Sequence, residues 1–545
     1  MKSNSFWPKH FYLVATDNAS HQHKADRNHM GSKAYNLLRM AQIGLPIPPA
    51  LVIGTHYTQS PEECILPLFA LGLPSLQQAT AQTFGDTRNP LIVSVRSGAP
   101  VSMPGMMETL LNIGLCDDTL PGLLRQSGNP RLVWDAYRRL IASYGEVVAG
   151  ISATVFENAL QDLCQGQDER ELDFEQLRAL SKQYLALYQN AVGKPFPQNV
   201  NEQLSGAVRA VFNSWHAEKA QEYRRLNQID DAIGTAVTIQ SMVFGNTGGH
   251  SGAGVGFTRN PTNGEAELWI DFLANAQGED VVSGRRNAHG HQVLAAIAPE
   301  AWEQLQNATQ ALEYEFSDMQ DFEFTVQDGV LHILQTRSGK RSALATARIA
   351  LDLFDQKIID LDTAHERTAH LDESQLSVVQ LVSNATTQAE SSVLAHGAPA
   401  CPGIATGEIA LDGERAANRH SAGVPIILVR QDAETNDIAA LDLAEGLLTQ
   451  RGARTSHAAV VARQLGKICL VGCEQLHIDE ATRTLYFGDQ EFHEGDVITV
   501  DGNQGTVYAG AVESVRVMDE ALLERLRQLR SQFAEHHHAR KKHNK

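Results

Sequence analysis

The sequence predicts a multidomain protein of mixed α/β and α+β architecture, and three observations predict it. The chain has 545 residues, 43% hydrophobic and 20% charged, enough for more than one core. Strand-like runs bounded by Gly and Pro recur early and late, interleaved with helical periodicity. From about 117 to 228 the text is helical, as in the amphipathic run 130–141.

The balance of charge narrows the class. A net charge of −19 and an isoelectric point near 5.5 argue against nucleic acid or an anionic membrane as a partner. No run of about twenty apolar residues predicts a transmembrane helix. The N-terminal residues have no apolar signal core. Six cysteines (64, 116, 164, 401, 469, 473) are scattered without metal-site pairing, and Cys469 and Cys473 flank a strand end as buried thiols. A reducing cytoplasm is the expected location.

In chain order, Gly31-Ser32-Lys33 opens a helix whose apolar positions are Leu37, Leu38, Met40, Ala41 and Ile43, and a strand follows at 50–53. Lys33 beside Gly and Ser can reach a nucleotide phosphate, or can be a solvated helix-start lysine; the P-loop pattern is absent. The buried strand 91–98 ends in Arg96-Ser97-Gly98, where a guanidinium fork suits phosphate oxygens and the next loop can form an anion nest. The helical stretch reads as an insertion with a structural role.

Strand text resumes at 235–245, then as a glycine loop and strand at 251–261. Residues 319–326 and 331–337 read as a hairpin. Asp321, Glu323 and Thr325 share one face of the first strand, and Gln335 and Arg337 share one face of the second. Such a pair of strands can hold a magnesium ion and bridged phosphates, or carry only a cross-strand salt bridge. Residues 341–357 and 364–367 are helical in pattern, and 376–389 reads as a flexible linker. A compact domain follows, with strands expected at 407–411, 426–429, 446–449, 468–471, 497–500 and 506–509. A helix bearing Leu522, Leu526, Leu529 and Phe533 leads to a basic, histidine-rich tail, expected to be solvated and disordered rather than metal-binding.

The chemistry centres on His457. Leu447 and Leu448 end a strand, Gly452 permits a sharp turn, and Thr455 or Ser456 can cap a helix starting near 458. An imidazole at a helix N-terminus is kept neutral and nucleophilic, and a phosphoryl group attached there is stabilised. Thr-Ser-His alone is more often only a cap.

The surrounding residues reverse that reading. The run 452–463, Gly-x-x-Thr-Ser-His-Ala-Ala-Val-Val-Ala-Arg, followed by Gly466-Lys467-Ile468-Cys469-Leu470-Val471-Gly472-Cys473, resembles the phosphohistidine segment of the pyruvate, phosphate dikinase family. It is similar, more loosely, to phosphoenolpyruvate synthase and to enzyme I of the sugar phosphotransferase system. Lys33, Arg96, the glycine run 252–256 and Glu323, Gln335 and Arg337 resemble, in order and spacing, the nucleotide domain of that family. The resemblance spans about 28–340 and 396–510.

It implies an ATP-grasp nucleotide domain over 1–340, with the helical insertion at about 117–228. A helical and flexible linker would occupy 341–395, a swivelling phosphohistidine domain 396–510, and a C-terminal helix and tail 511–545. By the same resemblance Lys33, Arg96 and Arg337 would hold ATP phosphates, with Asp321 in the same site. Glu323 and Gln335 would bind Mg2+. Gln240, Met242 and Val243 would line the adenine site, Glu279 would face the ribose side or a lysine, and His457 would carry the phosphoryl group. Arg454 departs from the methionine usual in dikinases, Ala253 from the usual threonine, and Pro100-Val101 alter the loop after Arg96.

The expected activity is autophosphorylation of His457 from Mg-ATP, releasing AMP, with phosphate or water as second acceptor. Dikinases continue into a barrel that binds pyruvate and phosphoenolpyruvate, and this sequence stops before it. The expected acceptor is therefore a barrel-bearing subunit or a small molecule. Two alternatives stay open: a rifampin-type small-molecule phosphotransferase, for which 341–395 is short, and an ATP-binding regulatory or scaffold protein. The final acceptor is not specified by the sequence, and homo-oligomerisation is admitted without being specified.

Overall fold

The computed structural model describes residues 7–16, 25–101, 103, 106–282, 290–382, 393–432, 437–454 and 456–543. Of the flexible linker expected at 376–389, residues 377–381 instead form a strand held by pairing with 514–518, while 383–389 and the candidate cap Thr455 lie outside the described residues. The chain forms two compact units, 1–250 with 331–336, and 251–330 with 337–545.

The first unit is built on an antiparallel sheet of β1 (Phe11–Val14), β2 (Ala50–Ile53), β3 (Val93–Gly98), β4 (Thr109–Ile113) and β5 (Ala236–Ser241), in the order β1-β2-β5-β3-β4. Strand alternation sorts its faces. Leu51, Ile53, Val93, Val95, Val237 and Ile239 join a core with Leu140, Ile141, Val208 and Val211 from the helices between 120 and 226. Ser94, Arg96, Thr238 and Gln240 occupy the opposite parity, paired in register as Ser94 with Gln240 and Arg96 with Thr238.

Helix α1 (Ser32–Gln42) buries Ala34, Leu37, Leu38, Met40 and Ala41. Gly31 is required before it: φ is +77°, and a Cβ would lie 1.8 Å from the Gly98 carbonyl oxygen. Ser32 donates from its backbone and its hydroxyl to the Ala99 carbonyl, at 3.1 and 3.0 Å. These contacts tie the start of α1 to the end of β3.

The second unit begins with β6 (Gly252–Phe257), flanked antiparallel by β7 (Trp269–Ala274) and β8 (Gln320–Gln327). The expected glycine loop is therefore a strand at the centre of three. Its glycines make room for an aromatic layer. A Cβ at Gly252, Gly254 or Gly256 would lie 2.2, 2.4 or 2.8 Å from the ring of Phe272, Phe324 or Phe322. The other face carries two cross-sheet rows, Trp269–Phe257–Asp321 and Asp271–Val255–Glu323. Strand β9 (Val330–Ser338) follows, and its residues 331–336 are those counted with the first unit.

Beyond it, α2 (Ala343–Asp355) and α3 (Leu361–Thr368) form a platform, completed by an antiparallel ribbon of β10 (Ser377–Leu381) with residues 514–518. The domain at 393–510 is an eight-stranded sheet, β11 (Val393–His396), β12 (Ala398–Cys401), β13 (Ile404–Ala410), β14 (Ile426–Arg430), β15 (Gly446–Thr449), β16 (Ile468–Val471), β17 (Val497–Asp501) and β18 (Thr506–Ala509). Its order is β11-β18-β17-β13-β14-β15-β16-β12, and the four strands β13 to β16 run parallel. Alternating residues such as Leu447 and Leu448 enter cores on opposite faces. Helix α4 (His457–Leu465) follows β15.

Helix α5 (Glu520–His543) differs from expectation at its end. It continues through 536–543 instead of ending in a disordered tail. Its Leu522, Leu523, Leu526 and Leu529 are buried against Leu344, Ile349, Leu353 and Leu371 of the platform, so its apolar stripe is already used. Burying four leucines contributes on the order of 6–12 kcal/mol before entropy, which explains why the helix packs on its own chain.

Candidate active site

The segment around His457 is built at the carboxyl end of parallel strand β15, where α/β sheets place their ligand sites. Gly452 adopts φ +130°, a region that side chains disfavour, and this lets the chain turn back. Thr449 donates its hydroxyl to the Arg451 carbonyl at 2.6 Å. Ser456 caps α4, its side chain accepting from the Ala459 backbone at 3.4 Å. His457 is the first residue of that helix, at the end toward which the backbone N–H groups of an α-helix point.

Two arginines bracket the histidine and fix α4 to the mixed face of the β7-β6-β8 sheet. Arg454 donates Nε to Asp271 Oδ1 at 3.0 Å and Nη2 to the Ile270 carbonyl at 2.7 Å. Its guanidinium lies 4.4 Å from the centre of the Trp269 ring. Arg463, buried, reaches across Phe257 and Trp269 at 5.4 and 5.3 Å and donates to the carbonyls of Ala400 and Arg454. Arg454 thus reaches the face of the sheet that also bears Asp321 and Glu323.

Arg337 donates Nε to Asp321 Oδ2 at 2.7 Å. Burial pushes the Asp321 carboxyl above its ordinary range, Arg337 opposes that, and the neighbouring Glu323 adds to it. Burial works against the Arg337 cation, but Asp321 and Glu323 outweigh it and hold the guanidinium firmly protonated. A polyanion arriving here would meet fixed cations among carboxylates able to share a divalent ion.

The residues expected from the sequence fall into two sets. In the first unit, Lys33 is exposed on the opening turn of α1, at the corner that binds the end of β3, and Arg96 is half-buried on β3. Gln240 is buried on β5 and donates its amide to the Pro48 carbonyl at 3.1 Å, so that group is held by the fold. Met242 and Val243 are half-buried just after β5, and Gln335 is buried on β9. In the second unit the structure brings together Asp321, Glu323 and Arg337, while Glu279 is exposed in the short helix Gly278–Val282.

Sequence reasoning missed Trp269, Asp271 and Arg463. The signal was present in part. Trp269 and Asp271 alternate as Asp321 and Glu323 do, and Arg463 lies six residues after His457 in the same helical run.

Residues 74–296 match the family described as pyruvate phosphate dikinase, AMP/ATP-binding domain, and residues 423–505 match the PEP-utilising enzyme, mobile domain. The chain is 39% identical over 516 residues to pyruvate, phosphate dikinase of Clostridium symbiosum, covering 92% of this chain and 58% of that protein. It is 41% identical over 510 residues to the enzyme of Rhizobium meliloti (strain 1021), with coverages of 89% and 56%. Against the chloroplastic pyruvate, phosphate dikinase 1 of Zea mays it is 40% identical over 503 residues, with coverages of 90% and 53%. The chain thus spans somewhat more than half the length of these relatives. No helix among the described residues is long and apolar enough to cross a membrane.

Proposed function

Because the chain belongs to the pyruvate, phosphate dikinase family of phosphotransferases through its nucleotide-binding and mobile domains, we propose that it phosphorylates its own His457 from ATP. The observation that carries this reading is the position of His457. It opens a helix whose flanking arginines bind a face bearing Asp271, Asp321 and Glu323.

The neutral imidazole attacks the β-phosphorus of ATP. The new N–P bond forms as the bond from that phosphorus to the α-phosphate bridging oxygen breaks, and AMP leaves. Phosphate then accepts the terminal phosphoryl group of the pyrophosphoryl-histidine as pyrophosphate, leaving phospho-His457. Lys33, Arg96 and Arg337 would hold phosphate oxygens, and Gln240, Met242 and Val243 would border the adenine. The helix-start donors would stabilise the phosphorylated imidazole. Oxygen donors of the kind that Glu323 and Gln335 carry suit Mg2+, for which these two side chains would be the ligands, and that ion would supply charge neutralisation for the nucleotide phosphates. Asp321 keeps Arg337 in place.

The name of these relatives, pyruvate, phosphate dikinase, makes phosphate the second acceptor to test first, with pyruvate tested separately as final acceptor. Intact-mass measurement after incubation with Mg-ATP, with and without phosphate, should show one acid-labile phosphoryl group and phosphate-stimulated AMP release. ATP binding with no label on the protein would instead favour the regulatory or scaffold reading.

A further inference from the structure

The histidine-rich end of the chain has a place in the fold that the phosphotransfer chemistry does not use. The buried leucines of α5 end at Leu529, and beyond it the described side chains are mostly exposed. That half of the helix is nevertheless held against α3. Arg530 donates to the Leu371 carbonyl at 2.8 Å, and the Phe533 ring stacks on His365 at 3.6 Å with an interplanar angle of 1°. His537 packs against Phe533 with ring centres 4.3 Å apart. These contacts bring His536 and His537 of α5 to Asp362, in the first turn of α3. One ligand atom from each lies within 4.8 Å of the other two.

We propose that Asp362, His536 and His537 form a binding site for a divalent transition-metal ion of the zinc class, which clamps the last turns of α5 to α3. Two imidazoles and a carboxylate are a zinc-type donor set, and the nitrogens select against Mg2+ and Ca2+, which take oxygen ligands. Zinc–ligand bonds of about 2.0–2.2 Å place tetrahedral donors about 3.4 Å apart, so closing the set from within 4.8 Å needs only rotamer adjustment. Water completes the shell. The His365–Phe533–His537 stack orients the second imidazole, and the clamp supplies the anchorage that the leucine-free half of α5 lacks.

The test uses the full chain, purified without an affinity tag and stripped of metal, titrated with Zn2+ by calorimetry and with Co2+ by its ligand-field absorption. One equivalent should bind, and metal should slow amide exchange in 530–538. Asp362→Asn, His536→Ala and His537→Ala should each weaken binding at least tenfold, with unchanged circular dichroism, whereas His538→Ala should not. Affinity unchanged by Asp362→Asn would overturn the clamp, leaving only a histidine-bearing helix end. Binding no tighter than that of the His536→Ala/His537→Ala double variant would overturn the site altogether.

Discussion

Replacing Arg454 by alanine should uncouple the helix that begins at His457 from the acidic face. In the docked arrangement Asp271 has a side chain only 3% exposed, and Arg454 is 18% exposed. Removing the cation leaves the buried Asp271 carboxylate without this partner, and such a loss is worth about 3–5 kcal/mol. Arg454 is partly hydrated, so the lower end applies. About 3 kcal/mol corresponds to roughly a hundredfold shift in the docking equilibrium. If the domain swivels, as the sequence leads one to expect, Asp271 regains water when it lifts, so the loss should fall on the docked state alone and global unfolding should hardly change. Rapid-quench labelling of His457 from β-labelled ATP and amide exchange across 269–274 together report the effect. The Arg454→Ala/Asp271→Asn double variant should recover part of it, since the buried charge is then gone as well. Labelling and exchange both within twofold of wild type would refute the reasoning.

Other outcomes are expected elsewhere in the molecule. His457→Ala should abolish acid-labile labelling while nucleotide binding, followed by calorimetry, persists. Glu323→Ala or Arg337→Ala should slow labelling by about a hundredfold or more, because phosphate charge then goes uncompensated in the transition state. Gly254→Ala would place a Cβ 2.4 Å from the Phe324 ring, and overpacking of about 1–3 kcal/mol should appear in urea unfolding. Asp135 is buried between Arg138 at 2.6 Å and Arg139 at 3.0 Å. Burial pushes its carboxyl up, but Arg139 and Arg138 outweigh it and hold it below the ordinary value. Its stabilisation is therefore full above about pH 3.9 and is lost as pH falls through the lower folded value. Asp135→Asn should destabilise by about 3–5 kcal/mol at pH 7, and the deficit should narrow in acid. An equal deficit at pH 3 and pH 7 would contradict this.

What the sequence by itself determined is local. Strands 446–449 and 468–471, the turn at Gly452, the Ser456 cap and the helix start at His457 all follow from residues within a few positions of one another. The alternation of Asp321 and Glu323 was legible for the same reason, since a strand's period of two needs no partner to be read. Only the tertiary structure decided the rest. The glycines of 252–256 look like a loop until Phe272, Phe322 and Phe324 arrive from neighbouring strands and occupy the space that side chains would fill. The leucines of α5 could serve a partner or this chain, and the choice rests on the apolar surface that α2 and α3 leave to cover. Arg454 meets Asp271 across 183 residues of chain. No local pattern encodes that pairing, because the low-dielectric surroundings that strengthen the attraction, and the desolvation cost it must offset, exist only once the two segments have packed together.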